Sequence, residues 1–334
     1  MKLLKDKDGK EIKDSIFEKT FIEIGGMQQG FFLRAENPKN PVILFLHGGP
    51  GSPELPLIIP FELPERLEKY FTVCYWDQRG AGMSFKSSVD PKTMTLEQMV
   101  EDTRQMTEYL QQRFGQEKIY LMGHSWGSYL GIKTIEKYPN NYLSFIGIGQ
   151  VVCDINSEKL AYDYMLEHAM KINDIFAIKK LRKVDKNASD FPQLKYVMTT
   201  RTQLMTKYGI GIMRQKISMA NILKFLLFFK GYTFVEKINY AKGSLFSLKH
   251  LWVETFVEDN LIKTSPKFEV PIFIIHGKYD YTTSYTLACE YYKIIESPKK
   301  AFFTFENSAH SPNMEEPEKF TQIIRSISSE IKES

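Results

Sequence analysis

A chain of 334 residues is long enough for one large α/β domain carrying an insertion, or for two domains. With 43% hydrophobic and 25% charged residues and a net charge of +4, disordered and fibrous classes are excluded. Three cysteines, Cys74, Cys153 and Cys289, lie far apart without a Cys-x-x-Cys pair, so neither a disulfide framework nor a zinc site is expected.

In chain order, the first eight residues are charged almost at once and lack an apolar core of signal-peptide length, which predicts a cytoplasmic protein. Residues 20–25 and 30–34 alternate apolar and polar around Gly25-Gly26, as an antiparallel hairpin does. Residues 41–46 and 71–76 are continuous apolar runs suited to buried parallel strands. The first ends in His47-Gly48-Gly49-Pro50-Gly51, the second in Asp77-Gln78-Arg79-Gly80-Ala81-Gly82-Met83-Ser84. Thr95 and Gln98 have capping-box spacing, and apolar residues recur at helical period up to Phe114. A third apolar strand runs into Gly123-His124-Ser125-Trp126-Gly127, the Gly-x-Ser-x-Gly form of a nucleophile elbow. There a serine is held in a strained turn, and glycines two residues to either side are expected to relieve a collision with it. A helix over 126–137 and a strand over 142–152 follow.

After Val152 the alternation stops. Residues 153–265 have helical composition and carry 18 Lys and Arg against 11 Asp and Glu, a basic surplus best read as a solvated helical surface. Its lysine clusters lack interleaved aromatics, so no nucleic-acid partner is expected. Residues 219–229 are notably apolar but shorter than the roughly 20 residues a membrane span needs, which predicts a buried helix and no stable membrane insertion. The sheet resumes with strands over 270–275 and 300–305, the first followed by Gly277-Lys278-Tyr279-Asp280 and the second by a loop bearing His310, and Pro317 opens a terminal helix. The fold class is α/β, a mostly parallel sheet flanked by helices with an inserted helical cap.

A serine nucleophile needs a base, and the base needs a third group to hold its tautomer. Of six histidines, His47 and His276 end strands and should be buried beside their turns; His168 and His250 fall in the insertion; His124 adjoins the serine and is expected to point away. His310 is therefore the candidate base, with Asp280 preferred over Asp154 as the acid. The N–H groups of Trp126 and Gly49 are candidate oxyanion donors. Activity should rise as His310 becomes neutral, near its ordinary pKa of about 6.5.

Taken together these motifs resemble the α/β-hydrolase fold, and within it the proline iminopeptidase (prolyl aminopeptidase) family. The resemblance rests on the His47 to Gly51 and Asp77 to Ser84 motifs, on Ser125-Trp126-Gly127, on Gly277 to Asp280 and on His310, and covers about 15–152 and 266–330. It implies a core of 1–152 and 266–334 with a cap of 153–265, a triad of Ser125, Asp280 and His310, an oxyanion hole at Gly49 and Trp126, and no metal or organic cofactor. The implied reaction releases an N-terminal proline or small residue from a small peptide. Two departures stand out: His124 replaces the family's usual glycine before the serine, and the cap shows no matching motif. Cap acids bind the substrate amine in that family; Glu158, Glu167, Glu236, Glu254 and Glu258 are candidates here, with Glu254 singled out by its neighbour Trp252. A carboxylesterase or lactonase acting on an ester substrate with the same triad, and a non-catalytic hydrolase-like receptor, are the alternative readings.

Overall fold

The computed structural model describes Leu4 and residues 8–60, 66–215, 219–256 and 259–332. Among them one sheet has eight strands: β1 (Ile16–Ile24), β2 (Met27–Ala35), β3 (Val42–Leu46), β4 (Thr72–Trp76), β5 (Ile119–His124), β6 (Tyr142–Ile148), β7 (Ile272–Gly277) and β8 (Lys300–Phe305). Gly25 and Gly26, at φ of 55° and 75°, close the β1–β2 hairpin in a two-residue turn that only residues tolerant of positive φ can make. The order is β1-β2-β4-β3-β5-β6-β7-β8. Both β1 and β4 run antiparallel to β2, and every pairing from β4 onward is parallel. After β3 the chain goes first to one side (β4) and then to the other (β5). The loops leaving β3 and β5 therefore diverge at the carboxyl edge, the switch point where open α/β sheets bind ligands.

Helices close both faces. Thr95 Oγ1 caps Leu96–Phe114 by accepting the Gln98 N–H at 3.1 Å, while the Gln98 side chain turns to Asp102 instead of completing the reciprocal box. That helix buries Met99, Val100, Met106 and Leu110 with Leu130, Ile132 and Ile135 of the helix Trp126–Lys137 against one face. The terminal helix Pro317–Lys332 buries Phe320, Ile323, Ile324 and Ile327 against the other. Each such side chain contributes about 1.5–3 kcal/mol on burial, which fixes the sheet edge where the loops diverge.

Between β6 and β7 the described residues form helices and no strand. β6 stops at Ile148, short of the predicted Val152, because Gly149 turns the chain at φ 54° and sends 150–153 across the sheet edge. Asp154–Lys171 opens the insertion, which has its own core around Tyr162, Met165, Leu204 and Met205. The helix Phe234–Phe256 instead seats on the main body: Ser244 Oγ donates to Gly51 O at 2.7 Å and Ser247 Oγ to Gly80 O at 3.0 Å. Just before it, Tyr232 donates at 2.7 Å to Asp77, whose carboxyl burial pushes up to about 7.

The expectation of a buried helix over 219–229 needs correction. Leu226 and Phe229 are buried, Phe229 packing on Phe32 and Tyr232, but Leu223, Leu227 and Phe228 face outward, the last 73% exposed. An all-round apolar composition conceals which side meets the body. No helix among the described residues is long and apolar enough to cross a membrane.

Candidate active site

Ser125 sits between β5 and the helix Trp126–Lys137 at φ 54° and ψ −123°, a positive-φ conformation that a non-glycine residue keeps only when its surroundings enforce it. The enforcing geometry differs from the expected one. A Cβ at Gly123 would lie 2.1 Å from Gly127 O, and one at Gly127 would lie 2.0 Å from Leu46 O. The glycines thus clear backbone, letting the helix start directly over β3 and β5, and do not chiefly clear the serine. Gly127→Ala should cost about 1–3 kcal/mol through overpacking. It should lower both the thermal midpoint and turnover; an unchanged midpoint would show that the contact relaxes and would contradict this account.

The oxyanion candidates follow from the same approach. Trp126 is the first helical residue, where N–H groups have no intrahelical acceptor. In the loop after β3, the Gly48 N–H is already taken by Glu54 Oε1 at 3.0 Å, which leaves Gly49, at φ 116°, as the next donor along. The Asp77 to Ser84 motif braces both parts. Gln78 donates its N–H to His47 Nε2 and its amide to His47 O, each at 3.2 Å, and accepts the Trp126 indole N–H at 3.1 Å. Behind it Arg79 makes a buried two-bond contact to Asp102, at 2.7 and 3.0 Å.

Beyond β7 and β8 the structure brings Asp280 and His310 together. His310 Nδ1 lies 2.8 Å from Asp280 Oδ2, and Asp280 Oδ1 accepts the N–H groups of Thr282 and Thr283 at 2.8 and 3.0 Å. One oxygen makes the local turn while the other faces the histidine. Thr283 Oγ1 and His276 Nε2 add contacts to Oδ2 at 2.9 and 3.2 Å. Burial alone would raise the Asp280 carboxyl, but His310 and His276 hold it well below the usual range. With Nδ1–H donated to an ionised carboxylate, Nε2 is the free acceptor of the His310 ring. Burial lowers the His310 pKa, Asp280 opposes this, and His124 and His276 add to the lowering.

Ser125, Trp126 and Gly49 line one cavity of about 120 Å³ with Asp154, Arg201 and Thr283. A family model described as the alpha/beta hydrolase fold matches residues 41–317. The chain belongs to the α/β-hydrolase fold family. A probable aminopeptidase, YbaC, of Bacillus subtilis (strain 168) is 33% identical over 93% of this chain and 96% of that one. A proline iminopeptidase of Heyndrickxia coagulans is 23% identical over 92% and 98%. The crystal structure of a Mycobacterium smegmatis proline iminopeptidase superposes with a TM-score of 0.65 at 15% identity, over 94% of this chain and 98% of that one, and so matches in fold. This α/β-hydrolase is proline iminopeptidase-like in sequence and is a hydrolase.

Other sequence expectations are settled or redirected by position. His47 and His276 are buried beside their turns; burial lowers His47 to about 4, so it is neutral. His124 does not point away from the site, because its ring packs on the His310 ring with centroids 4.8 Å apart. Asp154, the alternative acid, lies on the cavity wall, and the acid bonded to His310 is Asp280. Glu236 is committed to Lys19 at 2.6 Å and Glu167 is exposed, whereas Glu158 is buried beside Arg201 at 2.5 Å. The Glu254 side chain, with those of Trp252 and Glu258, lies outside the described residues.

Sequence reasoning missed the cavity-wall role of Asp154, the contact of Thr283 with the Asp280–His310 pair, and Glu54. Burial and the nearby Glu158 charge push Asp154 to about 8, against the opposing pull of Arg201. No local pattern marks these residues, because each acquires its position through a turn or strand order.

Proposed function

We propose that this hydrolase is a serine aminopeptidase acting on short peptides with a small N-terminal residue. Ser125 Oγ attacks the carbonyl carbon and its proton passes to His310 Nε2, while Asp280 holds the imidazole and balances its charge. The N–H groups of Gly49 and Trp126 receive the oxyanion. As the tetrahedral intermediate collapses, His310 returns the proton to the departing amine; water, deprotonated by His310, then cleaves the acyl-enzyme.

One observation carries the peptidase reading over an esterase. The cavity beside Ser125 is walled by Asp154 and Arg201, with Glu158 buried one helical turn behind Asp154; Glu158 Oε1 pairs with Arg201 at 2.5 Å while Oε2 has no hydrogen-bond partner among the described residues, so two carboxyls face one cation. An ester's acyl chain has no use for a buried carboxyl; a substrate ammonium does. At pH 7 the empty site holds Asp154 mostly protonated, and an arriving ammonium favours its anion, so binding should release a proton. Size agrees as well: an apolar cavity of about 150 Å³ takes benzene, so 120 Å³ suits alanyl or prolyl side chains.

The test is a panel of aminoacyl p-nitroanilides and their N-acetylated counterparts. Free alanyl and prolyl substrates should be favoured by about 10–100-fold, the worth of a hydrogen bond to a charged group. Asp154→Asn should erase most of that preference by raising KM more than it lowers kcat. Equal turnover of acetylated substrates and simple esters would overturn the aminopeptidase reading and leave an esterase.

A further inference from the structure

His124 stands where its ring meets two acceptors. Nδ1 lies 2.5 Å from Glu54 Oε1 and Nε2 lies 2.9 Å from the main-chain oxygen of His310. An ionised carboxylate and a carbonyl accept hydrogen bonds and donate none. With Glu54 held ionised, satisfying both contacts puts a proton on each ring nitrogen, which makes His124 an imidazolium facing a carboxylate. Both side chains are buried, at 7% and 6% exposure, where water cannot supply missing partners. Burial opposes the charge on each, yet their attraction and hydrogen bond hold the histidine above its ordinary pKa and the glutamate below its own.

The pair spans the pieces that catalysis needs aligned. Glu54 Oε1 also accepts the Gly48 N–H at 3.0 Å and so orients the loop whose next residue is Gly49. His124 immediately precedes Ser125, and its other nitrogen grips the backbone of His310. We propose that Glu54 and His124 form a positioning pair, a buried carboxylate–imidazolium couple that ties the oxyanion loop to the loop carrying the base and sets a fixed positive charge against the His310 ring. This rests on the reading of His310 as the general base.

A cation 4.8 Å away, centroid to centroid, disfavours a second positive charge on His310 and keeps the resting base unprotonated. The groups facing His310 are Asp280 and the Thr283 hydroxyl from the β7 loop, His276 from β7 and His124 from β5. Those facing His124 are Glu54, His310 and, at longer range, Asp280; His47 faces Glu54. Of the groups facing His310, His124 is the one paired with Glu54.

The test measures kcat and KM against pH for the full chain and for His124→Asn and the double variant His124→Asn/Glu54→Gln, using alanine p-nitroanilide and p-nitrophenyl acetate. The double variant leaves no lone buried charge, which guards against misfolding of the single one. Both should lose tenfold or more in kcat with KM moved less than threefold, and the acid limb should shift upward as the cation is lost. Imidazole nitrogen NMR of the wild type should show both His124 nitrogens protonated from pH 6 to 8. An unmoved acid limb in a variant that melts like the wild type, or a neutral His124 ring, would overturn the pair alone. A wild type with no acid limb would overturn the base reading, and the pair with it.

Discussion

Ser125→Ala is expected to reduce kcat by about a millionfold, with KM little changed. In the proposed mechanism the hydroxyl supplies the bond-forming atom; on the cavity wall Asp154 is largely protonated and Thr283 Oγ1 is engaged with Gly149 O and Asp280. What survives should be the contribution of the oxyanion N–H groups and of binding, which elsewhere gives about 10³–10⁴-fold over water. Fold stability should hold or improve, because positive φ at a non-glycine residue is retained either way and alanine buries no hydroxyl. Single-turnover kinetics on the purified variant, with its thermal midpoint, check both parts. Residual turnover within a hundredfold of wild type would mean that another nucleophile acts.

Asp280→Asn should cost about 10⁴-fold in kcat at nearly unchanged geometry. Asp280 Oδ2 is the acceptor facing His310 Nδ1, Thr283 Oγ1 and His276 Nε2. An amide in its place can present N–H to His310 Nδ1, which favours the tautomer protonated on Nε2 and removes the acceptor that Ser125 needs. The pH signs follow. Since burial and the neighbouring histidines lower His310 against the pull of Asp280, the wild-type acid limb should lie below the ordinary value of about 6.5. Removing the carboxylate takes away the group that raises His310, so whatever acid limb remains should move lower still. A kcat within tenfold of wild type would place the orienting role elsewhere.

Much of the fold was legible because its signals are local. Apolar runs ending in glycine-rich turns marked β3, β5 and β7, and Thr95 and Pro317 marked helix starts within a residue. The candidate site was legible to the same extent: Ser125, Gly49, Asp280 and His310 each follow a strand, and the parallel order carries strand ends to one edge. What escaped is non-local. Glu54 and His124 are 70 residues apart and meet because β3 and β5 are neighbours in the sheet. Asp154 reads as the second-choice triad acid until the Gly149 turn is seen to deliver it to the cavity wall. In the helix Met219–Phe228, apolar residues on every side conceal which face is buried, and only contact with Phe32 and Tyr232 decides it.

The central claim is that Ser125 is the activated nucleophile, and covalent capture tests it most directly. Diisopropyl fluorophosphate reacted with the intact chain, followed by peptide mass mapping, should yield one stoichiometric adduct on Ser125, with activity lost in step and no adduct in Ser125→Ala. Turnover that persists after stoichiometric labelling of Ser125, or an adduct on a different residue that tracks inactivation, would contradict it.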